Sequence, residues 1–149
     1  MNAYTQLLNY LLSILSADTD INTVTEGIQI DQIDIQKKNL YPLAHIEAAD
    51  GNFTANNFQF NVTVQILDMV QTRKEINTDK FTTNDNRQDV YNTSLQSLRR
   101  MYNELVRNEI ISVSTDSGFT KVDSVKNGIY GWELSLLVEV PNDVMSICP

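Results

Sequence analysis

The sequence predicts an α+β domain: a mainly antiparallel sheet with two amphipathic helices packed on one of its faces. Three observations carry this reading. Two segments, one opening the chain and one past its middle, repeat apolar residues at 3- and 4-residue spacing, the stripe of a helix with one buried face. Two long runs, Phe58–Val70 and Ile129–Val140, alternate apolar and polar residues as half-buried strands do. Turn signals separate neighbouring strand patterns, which pair them as antiparallel hairpins, and two one-sided helices then need a common sheet face to cover. The length of 149 residues predicts one domain spanning 1–149, and 42% apolar residues suffice for its core.

The first helix is predicted over Ala3–Ser16, from Tyr4, Leu7, Leu8, Leu11, Leu12, Ile14 and Leu15. Ala17–Gly27 reads as polar and turn-rich. Ile28, Ile30, Ile33 and Ile35 follow in two parities, so one straight strand cannot bury all four and a bend near Asp31–Gln32 is expected. A short helical turn after Asp34 is the competing reading. Leu43–Ala49 is predicted as a strand and "DGN" at Asp50–Asn52 as the turn that returns the chain into the long strand Phe53–Val70. That strand sets Phe58, Phe60, Val62, Val64 and Ile66 against Gln59, Asn61, Thr63 and Gln65. Its end breaks the pattern, with Leu67 and Met69 apolar on the polar side. Either both faces are buried there or a bulge shifts the phase.

Gln71–Asn86 is charged and aperiodic, a loop long enough to imply a role. The second helix is predicted over Asn86–Asn108, with Asp85 and Gln88 spaced as a capping box. Its apolar face is Val90, Tyr91, Leu95, Leu98, Met101, Tyr102, Leu105 and Val106. Short strands follow at Ile110–Ser114 and Phe119–Val125. "NG" at Asn127–Gly128 is a hairpin signal, and Ile129–Val140 is the last strand. Tyr130, Trp132, Leu134, Leu136, Val138 and Val140 share one face of it, which predicts a buried Trp132. The residues 141–149 form a tail.

The net charge of −8 argues against steering onto phosphates or anionic membranes. One cysteine, Cys148, makes no internal disulfide, and one histidine, His45, has no nucleophile signature beside it. That pair is too sparse for zinc, the acidic turns lack a calcium loop's spacing, and no glycine-rich phosphate cradle is present. The expectation is a chain with no cofactor, no metal and no catalytic residue. Arg99, Arg100 and Arg107 read as solvated helix positions that pair with Glu104 or Glu109.

Order, lengths and texture carry a resemblance. The opening helix followed by "NLYPLAHIEAADG" at Asn39–Gly51 is its first part. The long strand closing on "QILDMVQ" at Gln65–Gln71, then a polar loop and a long helix, is the second. "GIYGWELSLLVEVP" at Gly128–Pro141 is the third. Together they resemble the tail-terminator and tail-completion proteins of tailed bacteriophages. That resemblance implies a small α+β subunit without catalytic residues. It implies a homo-oligomeric ring, commonly six-fold, at the head-proximal end of the tail, assembled in the host cytoplasm and carried in the virion. The implied partners are further copies of the chain, the tail tube and the head connector. No membrane is involved, and DNA passes through the ring without specific binding.

A ring subunit needs lateral faces that its neighbours cover. Asn61, Thr63 and Gln65, uncharged along the long strand, are one candidate contact, because neutral polar groups cost less to desolvate than charges. The loop is the other, with Phe81 as an anchor and Arg73, Lys74 and Lys80 as its charged rim. Ile76 and Phe81 alone are too little apolar area to order it, so it is expected to be mobile until a neighbour covers it, a solvated connector being the alternative reading.

Overall fold

The computed structural model describes residues 3–27, 41–69, 87–114, 117–124 and 128–141. The elements in chain order are α1 (Ala3–Ala17), β1 (Thr23–Glu26), β2 (Leu43–Phe53), β3 (Asn57–Met69), α2 (Arg87–Arg107), β4 (Ser112–Val113), β5 (Phe119–Ser124) and β6 (Ile129–Pro141). They form the α+β fold the patterning predicts. The six strands make one sheet in the order β1-β2-β3-β6-β4, with β5 beside β6 as well. Every pairing is antiparallel except that of β1 with β2, which is parallel. The isoleucine-rich segment after Gly27, the capping box at Asp85, the loop 71–86 and the tail beyond Pro141 lie outside the described residues.

β1 is a strand where the sequence reads as a turn region. Its four residues hold a single aliphatic side chain, Val24, which packs on the core while the neighbouring threonines face away. So little alternation gives no periodic signal. The predicted turn at Asp50–Asn52 is also displaced. β2 runs straight through it to Phe53, and the turn closes at Thr54–Asn57, where Thr54 N donates to Asn57 O at 2.9 Å and Asn57 N to Thr54 Oγ1 at 3.1 Å. A bulge between Ala48 and Asp50 lets the strand continue. Gly51 serves close strand contact rather than a turn, since a Cβ there would run into the Gln59 carbonyl oxygen.

Both helices cover one face of the sheet. α1 buries Ala3, Leu7, Leu11 and Leu15, each one four-residue step from the last, so they line a single stripe. α2 buries Val90, Leu98, Met101 and Leu105, together with Ser94 and Ser97, whose small side chains let the helix lie close. Val106 is exposed rather than buried. Against these helices stand Ala44 and Ile46 of β2, Val62, Val64 and Ile66 of β3, and Leu134, Leu136, Val138 and Val140 of β6. Trp132 lies on the predicted face but is only half-buried, because it sits at the rim beside the first turns of α2. Its Nε1 donates to the Tyr91 carbonyl at 2.9 Å.

The end of β3 resolves in favour of two buried faces. Its pairing with β6 runs unbroken from Asn57 to Met69. Leu67 joins Tyr41, Leu43 and Ile129 in a second, smaller apolar cluster on the far side of the sheet, with Met69 and Val122 packed against it. Gly131 stands opposite Leu67, and a Cβ there would collide with the Ile66 carbonyl oxygen.

Candidate functional site

Away from the helices, the far face of β2, β3 and β6 carries Asn61, Thr63 and Gln65, as their parity requires. The strand is neutral, but the face is not, because its neighbours supply carboxylates. Gln65 Nε2 donates to Glu133 Oε2 at 2.9 Å, and Gln59 Nε2 donates to Glu139 Oε1 at 2.6 Å. Asn57 Nδ2 reaches the other oxygen of Glu139 at 3.2 Å, and Asn61 Nδ2 donates to Asp50 Oδ1 at 2.6 Å. The last pair crosses to β2, the others to β6. Thr63 sits between Glu47 and Ser135 in register. The sheet face around these neutral residues is thus charged: the amides of Asn57, Gln59, Asn61 and Gln65 each hold a carboxylate of a neighbouring strand. The signal was present in the odd positions of the last strand, Glu133, Ser135, Leu137 and Glu139, but it needed the register to join it to β3. The carboxylates retain free lone pairs, so the face can accept hydrogen bonds from a partner. Among the described residues it has no Lys or Arg.

At the end of this face His45 is buried, 3% exposed. Its Nδ1 lies 2.8 Å from Thr25 Oγ1, and in either tautomer Nε2 is a buried polar atom without a hydrogen-bond partner among the described residues. Burial holds its pKa below the ordinary value, against the opposing pull of Glu47 and Glu26. Among the described residues the Thr25 hydroxyl is the ring's hydrogen-bond partner, and no carboxylate bonds it.

The β2–β3 hairpin runs past the end of the helix layer. Phe53 at its tip is 84% exposed. Its ring meets Phe58 edge-on at 5.5 Å, Phe58 stacks on Phe60 at 6.4 Å, and Phe60 meets Tyr4 of α1 at 6.1 Å. These aromatics border a shallow groove of about 470 Å³. Phe53 and Tyr4 are the exposed members of this row, while Phe58 and Phe60 are half-buried against the core. Parity puts Phe58 and Phe60 on the core side, where they pack, but a turn expected at Asp50–Asn52 hides Phe53 as the tip residue.

A second groove, of about 410 Å³, opens between α2 and β5 and is lined by Leu95, Leu98, Tyr102, Phe119 and Leu134. Arg99 stands at its side, 6.0 Å from the Tyr102 ring, and Lys121 lies 4.5 Å from the Tyr91 ring. Arg100 behaves differently: it ties α2 to the end of α1 through Asp18 at 3.0 Å and Asp20 at 2.7 Å. Hydrogen bonding to Asp18 raises its pKa further. Arg107 pairs with Glu104 at 3.4 Å. All Lys and Arg side chains among the described residues lie on α2 or β5, opposite in sign to the carboxylate-bearing face.

Arg73, Lys74, Lys80 and Phe81 lie outside the described residues. Among the described residues no group of His, Cys, Asp and Glu is placed to hold a metal ion, and no helix is long and apolar enough to cross a membrane. Comparison with protein-family models and with curated proteins gave no match to this chain.

Proposed function

We propose that the chain is a non-enzymatic virion protein of a tailed bacteriophage, a ring-forming subunit at the head–tail junction that ends the tail tube and joins it to the connector. The observation that carries the reading is the hairpin that outruns its own core. Phe58 and Phe60 still pack on the core, yet the strands go on past them to a tip where Phe53 is left exposed. An exposed aromatic at a strand end fits a contact that a neighbour completes. The far face, with its amide-held carboxylates and no described cation, suits a conduit that must not grip DNA phosphates. The order of elements that resembles the tail-terminator family supports the same reading.

The test is immunogold labelling of particles released from cells that express the chain, paired with electron microscopy of the purified protein. Gold at the head–tail junction and closed rings are the expected result. Gold elsewhere on the particle makes the chain another structural adaptor, such as a baseplate, tube or head-completion subunit. Unlabelled particles together with a small dimer in solution overturn the reading in favour of a cellular ligand-binding module.

A further inference from the structure

We propose that successive copies of the chain join head to tail, with the aromatic hairpin tip of one copy seated in the groove between α2 and β5 of the next. The inference rests on the ring reading and gives it a specific contact.

Three features point to a second copy as the occupant. The first is shape. The tip is a projecting element led by Phe53, and the groove is a concave apolar surface where Phe119 is 54% exposed. Each presents apolar area that the other lacks a partner for, and a buried aromatic in a pocket is the usual energetic centre of an interface.

The second is position. Phe58 stands beside Val140 and Phe119 beside Leu134, so the patches lie at different points along β6, about 20 Å apart, and about two strand spacings apart across the sheet, three for Phe53 on β2. A tip on a two-stranded arm of fixed register cannot fold back that far into its own groove. Two unlike patches on one chain make a heterologous contact, which repeats from copy to copy and closes into a ring when the rotation allows. An isologous dimer would instead require one self-complementary patch.

The third is charge. Asp50 borders the groove beside the tip, and Glu139 lies on the sheet face behind the aromatics. Arg99 and Lys121 flank the groove. In a chain of net charge −8, this segregation brings opposite signs together at the contact and keeps like faces apart.

The experiment compares the full-length chain with Phe53→Asp, Phe119→Asp and an equimolar mixture of the two variants by analytical ultracentrifugation. Circular dichroism and thermal melts confirm that each variant folds; both positions are exposed, so folding should persist. Phe53→Lys and Leu95→Asp serve as second variants of each half-site. The wild-type chain should form a closed oligomer. Each variant alone should lose association by about 30-fold or more. The mixture should recover a one-to-one dimer, because one intact tip and one intact groove remain and the chain of contacts stops there. Oligomers of wild-type size in either folded variant overturn this contact while leaving the ring reading standing. A wild-type chain that stays monomeric at about 0.5 mM overturns both. A mixture that stays monomeric overturns the pairing of these two patches.

Discussion

The two faces of the sheet are built from the same strands by opposite rules. On the helix face, alternate residues of β2, β3 and β6 are aliphatic and almost wholly excluded from solvent. On the far face, the same strands carry amides and carboxylates that pair across the ladder, interrupted by Leu137, and the end around Leu43, Leu67 and Ile129 is apolar. The helix face gains its stability from excluded water and close packing, whereas the far face gains little. An exposed amide–carboxylate hydrogen bond replaces one that water would make. A surface that adds little to folding yet fixes the rotamers of its polar groups is suited to presentation.

That contrast breaks most sharply at Trp132. Its ring packs with Tyr91 and Phe119 at 5.9 and 5.4 Å and its indole N–H caps a carbonyl of α2. Trp132→Ala should cost about 3 kcal/mol, less than a fully enclosed tryptophan would, and Trp132→Phe should recover part of it. Chemical denaturation measures both. An unchanged midpoint in Trp132→Ala would mean that the rim of the helix face carries no weight.

Acid should sharpen the contrast at the far face. His45 is buried in its neutral form, so its folded pKa lies below the ordinary value of 6.5. The unfolded chain then binds the proton more readily than the folded one. The contribution of His45 is fully present above pH 6.5 and is lost as pH falls through that value toward the folded pKa. Tm should decline in that window, and His45→Gln should flatten the decline. Asp68 acts in the opposite direction at lower pH. Burial raises its pKa above 3.8, so folding gains as its carboxylate takes up a proton there. A His45→Gln variant with the full acid slope of the parent would assign the slope to other groups.

The smallest effect belongs to the amide ladder. Gln65→Ala removes one donor from Glu133, and the loss should stay within about 1 kcal/mol because water replaces the bond. If Gln65→Ala costs as much as Trp132→Ala, the far face is a structural layer and not a presented one.

Much of this was legible in the sequence. The two long alternating strands, both helices and the face that each of them buries follow from periodicity, which burial enforces over many residues. What escaped was set by few residues or by register. β1 has one aliphatic side chain, too little to alternate. The bulge at Ala48–Asp50 shifts parity by one, and "DGN" then imitates a turn that Thr54 in fact supplies. The amide pairs of Asn61 and Gln65 were half visible: the donors stand on β3, but Asp50 and Glu133 are distant in sequence, and only the pairing of the strands brings them opposite.

The arrangement of strand ends also bears on how the chain meets the backbones of other molecules. The three longest strands are β2, β3 and β6, and two of them are interior. β6 is bordered by two short pieces, β4 and β5. β1 covers only Leu43–Ile46 of β2, and the outer margin of the remainder is unpaired among the described residues, broken by the bulge and bearing Glu47 and Asp50. Such a margin offers no straight run of amides and carbonyls to a stranger's strand. Among the described residues that margin is therefore poorly shaped for backbone pairing, and a contact made there falls to side chains, which mutation can tune.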